Sequence, residues 1–130
     1  MRIPKDEIPV KLDAPGATAR QSADFGTADG VLSAEYFSLG AGTDIAPLLQ
    51  GLDGDLCQAP HWGYVLEGEI VVTYADSEEE TCRGGDLYFW PAGHTVRVVD
   101  DAELVMFSPR AAHGHVIDHL AAKIAAMGET

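Results

Sequence analysis

The chain has 130 residues, and its 8 Lys and Arg against 21 Asp and Glu give a formal charge of −13. That balance excludes a nucleic-acid reader, which needs a basic stripe to release counterions, and an anionic membrane surface, which would repel the chain; no apolar run approaches the ~18 residues of a spanning helix. Hydrophobic residues at 46% and charged ones at 22% are a globular composition, and 14 Gly with 7 Pro predict many turns between the short elements of a single domain over residues 1–130.

The first residues, Met1 to Glu7, are charged and lack the apolar core of a signal peptide, so the cytoplasm is the expected compartment. Disulfides are disfavoured there, and Cys57 and Cys82 read as free thiols or metal ligands. Residues 1 to 30, broken by Pro15, Gly16, Gly26 and Gly30, predict one or two short edge strands. From Val31 the alternation of Leu32, Ala34, Tyr36 and Ser38 against Ser33, Glu35, Phe37 and Leu39 predicts a strand ending at Gly40-Ala41-Gly42. Residues 45 to 49 predict a further short strand before the Gly51 to Asp55 turn.

His61 to Val72 is a β-rich run cut by Gly68, Asp76 to Glu80 a hairpin tip, and Gly84-Gly85-Asp86 a turn. Leu87 to Trp90 predicts a strand stopped by Pro91-Ala92-Gly93, and Val96 to Val99 and Glu103 to Phe107 two more around Asp100-Asp101. Such spacing is that of a sandwich or barrel. Only the end is helical: Val116, Leu120, Ile124 and Met127 share one helix face over about 110–127, with Ser108-Pro109 as cap and first turn, Gly114 weakening the first turns so that the firm helix starts near His115, and Gly128 as stop.

The segment Asp55-Leu-Cys-Gln-Ala-Pro-His-Trp-Gly-Tyr-Val-Leu-Glu-Gly68, followed by Gly85-Asp-Leu-Tyr-Phe-Trp-Pro-Ala-Gly-His94-Thr-Val96, resembles the two motifs of the cupin superfamily, G-x5-H-x-H-x3-4-E-x6-G and G-x5-P-x-G-x2-H-x3-N. Gly85, Pro91 and Gly93 match the second motif in spacing, and Val65-Leu66-Glu67-Gly68 looks like the end of the first. The resemblance, over motif 1 at about 55–68 and motif 2 at about 85–96, implies an all-β jelly-roll barrel closed by the C-terminal helix. It also implies a metal held by three histidines and a glutamate, a set from which this chain departs. Anchored on Gly68, the alignment puts His61 at the glutamate position, Cys57 at the second histidine and Asp55 at the first, while Val96 takes the second motif's histidine position with His94 two residues earlier on the same strand face.

Carboxylate, thiolate and imidazole are all metal ligands, so Cys57, His61 and His94 form the expected metal site, with Asp55 as a further candidate. Taken singly, each has a plainer reading: Cys57 a small buried hydrophobe, His61 a core histidine, His94 a turn residue and Asp55 a turn former. A thiolate with two imidazoles favours Zn²⁺, whereas two histidines with Asp55 would suit Fe²⁺. His115 and His119, four apart on the helix, are a rival pair better read as a solvated face, and His113 adds nothing definite. Parity places His61, Gly63 and Val65 inward, Gly63 leaving room for a ligand, and Trp62, Tyr64 and Leu66 outward, where they need cover from the N-terminal strand, the helix or a second subunit. The expected partners are a small molecule in the barrel and a second copy of the chain. An enzyme (dioxygenase, isomerase or lyase) and a non-catalytic ligand-binding or sensor protein that has lost its metal both fit this sequence.

Overall fold

The computed structural model of the chain describes residues 1–128. Eight antiparallel strands are followed by one helix: β1 (Val10–Ala14), β2 (Ala17–Ser22), β3 (Thr27–Ala28), β4 (Gly30–Leu39), β5 (His61–Tyr74), β6 (Glu79–Arg83), β7 (Leu87–Trp90), β8 (His94–Pro109) and α1 (Arg110–Gly128). The ladder runs β1-β2-β4-β8-β5-β6, with β3 on β4 and β7 on β5. β1 and β2 turn at Pro15-Gly16, where Gly16 takes a φ of +76° that the turn requires.

The long strands β5 and β8 pair along most of their length and set the frame for everything else. On β8 the even positions other than Asp100 face inward, from His94, Val96 and Val98 through Ala102, Leu104 and Met106 to Ser108. The two strands expected at 96–99 and 103–107 are therefore one. Asp100 and Asp101 stay in the ladder because they face solvent opposite an irregularity in β5 and need no core contact. In β5 that irregularity, between Val65 and Ile70, shifts the inward set from His61, Gly63 and Val65 to Ile70 and Val72. Gly68 does not cut the strand but allows its bulge: its φ is +92°, and a Cβ there would lie 2.2 Å from the Asp101 carbonyl oxygen.

Two further expectations are corrected. Residues 45–49 are no strand: Ala46–Leu49 form a 3₁₀ turn whose first turn holds Pro47, where the missing N–H costs nothing, and Leu49 is driven fully inside. The helix spans Arg110–Gly128, as the expected 110–127 has it, and Gly114 does not delay its start, while Ser108 is not its cap but the last inward residue of β8. Val116, Ile117 and Leu120 pack with Leu12, Ala19, Leu49, Cys57 and Ala59, so the helix covers one end of the barrel interior; the apolar stripe stops at Ile124, and Met127 is exposed. A second cluster, built on Val65, Ile70, Val72, Trp90, Val98 and Leu104, fills the rest of the core.

Candidate metal centre

Three elements deliver the site. His61 opens β5, His94 opens β8, and Cys57 lies in the preceding loop but is bridged to His94 by backbone hydrogen bonds, Cys57 N–H to the His94 carbonyl at 2.9 Å and His94 N–H to the Cys57 carbonyl at 3.2 Å. The ligand atoms of Cys57, His61 and His94 all lie within 4.8 Å of one another, and all three residues are buried. Cys57 Sγ sits 3.5 Å from His61 Nε2, and the rings of His61 and His94 meet edge to face at 5.0 Å.

Asp55 does not join them. It stands exposed at a φ of 56°, and its carboxylate accepts the Gly51 N–H at 2.9 Å, so it shapes the turn as an aspartate after Asp53-Gly54 commonly does. The even spacing that aligned Asp55 with Cys57 and His61 presumes one continuous strand, whereas 53–55 is a 3₁₀ turn. The rival helix pair is divided as well: His119 Nε2 donates to the Gln50 carbonyl at 2.9 Å, tying the helix to the loop, and His115 is exposed.

The ring nitrogens decide whether the donor set fits a metal. His94 Nδ1 lies 2.9 Å from the Pro91 carbonyl, an acceptor only, so Nδ1 carries the proton and Nε2 keeps its lone pair. His61 Nδ1 lies 2.7 Å from Ser108 Oγ, which turns its Nε2 toward Cys57. Burial keeps both imidazoles neutral: it lowers the pKa of His61 well below its ordinary value and that of His94 to about 4. Burial also pushes the Cys57 thiol up to about 11, so without a metal this site is an uncharged thiol between two neutral imidazoles. That state disfavours a free thiolate nucleophile and leaves the ligand atoms ready for a cation that displaces the thiol proton. The separations, 3.5 Å from Cys57 Sγ to His61 Nε2 and no more than 4.8 Å between any two ligand atoms, bring all three side chains within reach of a single divalent ion.

Sequence reasoning missed the groups behind the site. Glu35 on β4, 2% exposed, accepts Ser33 Oγ–H at 3.0 Å and Ser108 Oγ–H at 3.0 Å, and a short hydrogen bond joins it to His113 Nδ1. His113, 3% exposed, packs its ring 4.3 Å from that of His61. The available signal was Glu35 itself, an acid among the inward-facing odd positions of β4, with Ser33 before it and Phe37 and Leu39 after.

A cavity of about 90 Å³ opens between the site and the helix, walled by apolar side chains such as Phe37, Leu39, Leu104, Met106, Leu120 and Ile124 and polar at the end formed by Cys57, His61, His94 and His113. Among the described residues no lysine or arginine lines it: Arg83 pairs with Glu69 and Arg97 with Glu79 on the outside. Gly63 leaves no room for a ligand, contrary to expectation, because Tyr88 fills its place, and a Cβ would meet the Val105 carbonyl at 2.0 Å and the Tyr88 hydroxyl at 2.4 Å. Parity otherwise holds on β5, with Trp62, Tyr64 and Leu66 outside.

No family model and no curated protein matches the sequence. Solved structures do resemble the fold. An RmlC-like cupin from Shewanella frigidimarina is 18% identical, with a TM-score of 0.55 over 81% of this chain and 86% of that one. The polyketide cyclase RemF from Streptomyces resistomycificus is 18% identical, with a TM-score of 0.56 over 85% and 79%. Oxalate decarboxylase from Bacillus subtilis, a protein with Mn(II) centres, is 18% identical, with a TM-score of 0.57 over 80% of this chain but only 28% of its own length. The fold is the cupin jelly roll with a C-terminal helix.

Proposed function

We propose that this cupin-fold chain binds one divalent metal ion, zinc, through Cys57, His61 and His94, and a small, largely apolar molecule in the cavity beside it. The observation that carries the reading is the ligand-atom set: one thiol and a ring nitrogen from each of two histidines converge within 4.8 Å in a buried site, His61 presenting Nε2 to Cys57. A thiolate and two imidazoles are a zinc set, softer than the carboxylate-rich sites that hold manganese or iron. Bound zinc would supply Lewis acidity at its open position. The chain's own part is to hold the cavity dry and orient what enters it: Leu104, Met106, Leu120 and Ile124 take the apolar body, and the imidazole end takes the polar group.

Elemental mass spectrometry on untagged protein reconstituted with Zn²⁺ tests the metal. About one zinc per chain is expected in the native protein and none in Cys57→Ser or His61→Ala, with circular dichroism confirming that the conservative Cys57→Ser variant stays folded. Protein that takes up neither Zn²⁺ nor Fe²⁺ would leave a metal-free ligand-binding protein as the reading to pursue. We further assign the outer face of β5 and β7 to a second copy of the chain. Trp62 (46% exposed) stacks on Phe89 (50%), with Tyr64, Leu66, Leu87 and Phe107 exposed around them, and none of these side chains is charged. In a chain of charge −13, an uncharged face meeting its own copy about a twofold axis avoids the repulsion other contacts would bring. The unpaired buried Cys57 and Cys82 suit a reducing, cytoplasmic setting.

A further inference from the structure

The carboxylate of Glu35 is joined to His61, one of the proposed ligands, by two hydrogen bonds through Ser108. Five buried groups form a continuous network. His61 Nδ1 lies 2.7 Å from Ser108 Oγ, Ser108 Oγ lies 3.0 Å from Glu35 Oε1, and Glu35 is held in turn by Ser33 on Oε2 and by His113 on Oε1. The direction of this chain is fixed by counting protons. The Glu35 carboxylate accepts from both serine hydroxyls, and a serine hydroxyl has a single proton to give. Ser108 therefore donates to Glu35 and must accept from His61, which puts the imidazole proton on Nδ1 and the lone pair on Nε2. Were the hydroxyl proton turned toward His61 instead, Ser108 and Glu35 would face each other as two acceptors in a buried site, an arrangement that costs the desolvation of both.

We propose that Glu35 and Ser108 are positioning residues of the site, whose hydrogen-bonded chain fixes the tautomer of His61 so that Nε2 is presented toward Cys57. The two histidines are thus set by different devices, His94 by a backbone carbonyl that no side-chain substitution removes and His61 by two side chains that can be altered. The assignment of a metal-binding purpose rests on the zinc reading above, while the tautomer itself is a property of the metal-free chain. Partners of this kind, one bond removed from a ligand, typically alter metal affinity by 10- to 100-fold.

Both parts are measured on the full chain. In the metal-free protein, ¹⁵N-edited NMR of the histidine rings distinguishes a proton on Nδ1 from one on Nε2. The expected result is Nδ1–H for His61 in the native protein, a mixture or reversal in Ser108→Ala, and return to Nδ1–H in Ser108→Thr, which keeps the hydroxyl; Glu35→Gln should loosen the preference in the same direction. His94 serves as the internal control and should stay Nδ1–H throughout. Chelator competition should show zinc binding 10- to 100-fold weaker in Ser108→Ala and restored in Ser108→Thr. A native His61 with its proton on Nε2, or a tautomer indifferent to Ser108→Ala, overturns the proposal. Native protein that shows the expected tautomer and its loss but takes up no zinc overturns the metal reading alone.

Discussion

The two faces of strands β5, β7 and β8 are built from similar material and do different work. Inward they present His61, Val65, Tyr88, Trp90, Met106 and Ser108; outward, one residue along, they present Trp62, Tyr64, Leu66, Leu87, Phe89 and Phe107. Both faces are aromatic and apolar, so polarity does not divide them as it divides an ordinary half-buried sheet. What divides them is completion. Inside, Tyr88 stacks on Trp90 with ring centroids 4.1 Å apart and donates its hydroxyl to the Val105 carbonyl at 2.8 Å, and the Glu35 carboxylate has three donors. Outside, Trp62 and Phe89 stack on each other across the ladder and remain about half exposed, while Phe25 covers part of Phe107 with ring centroids 6.3 Å apart. The inner face, with its carboxylate, serines and histidines matched and only the Trp90 indole N–H left without a partner, is all but finished within one chain, while an unfinished apolar face calls for another.

The strongest way to break this comparison is to unmatch the inner face. Glu35→Ala strands Ser33, Ser108 and His113 in a dry interior, and urea unfolding should show a loss of about 3–5 kcal/mol; an effect no larger than that of a surface substitution would show that the inner network is not finished in the sense argued. Acid attacks the same face more gently. Because folding lowers the pKa of His94 to about 4 and that of His61 well below 6.5, the unfolded chain binds more protons between the folded and unfolded values. The stability these neutral histidines carry is therefore fully present above about pH 6.5 and falls as pH drops toward 4, by about 3 kcal/mol for His94 alone. Unfolding midpoints of metal-free protein from pH 8 to pH 4.5 should fall accordingly, and the fall should be shallower in His94→Asn.

Packing on the inner face can be sharpened at one atom. Gly63→Ala drives a methyl group into the Val105 carbonyl and the Tyr88 hydroxyl, and a loss of about 2–3 kcal/mol is expected. The outer face should respond in the opposite manner. Trp62→Glu and Phe89→Glu should change the stability of the single chain by no more than about 0.5 kcal/mol while turning a dimer into a monomer in sedimentation velocity. A native chain that sediments as a monomer at every concentration would remove the second copy from the outer face.

Much of the frame was legible in the sequence because it is local. Gly84-Gly85-Asp86 and Pro91-Ala92-Gly93 bound β7 at the expected residues, since turn chemistry acts over a few positions, and the alternation in β4 and at the start of β5 needs nothing beyond its own strand. Where local signals compete, they misled. Pro47 reads as part of a short strand but sits in a 3₁₀ turn, and Asp100-Asp101 reads as a turn but lies within β8, because the partner strand absorbs the irregularity. Gly63 shows the limit clearly: alternation puts it on the inner face, but only Tyr88, arriving from another strand, determines that the space is filled.

The candidate site divides along the same line. The sequence by itself determined a sandwich or barrel of short strands through turn residues and alternation, and its two cupin-like motifs pointed to the jelly-roll barrel and marked Cys57, His61 and His94 as residues able to hold a metal. Which of its candidates meet was decided by the tertiary structure. Cys57 comes to His94 through backbone bonds 37 positions apart in the chain, while Asp55, two residues from Cys57, turns away to hold Gly51. Glu35, Ser108 and His113 come from β4, β8 and α1, and no spacing in the sequence records that they share one carboxylate. The physical reason is range: turns and alternation are set by neighbours along the chain, whereas a buried hydrogen bond is set by whichever groups folding has left without water.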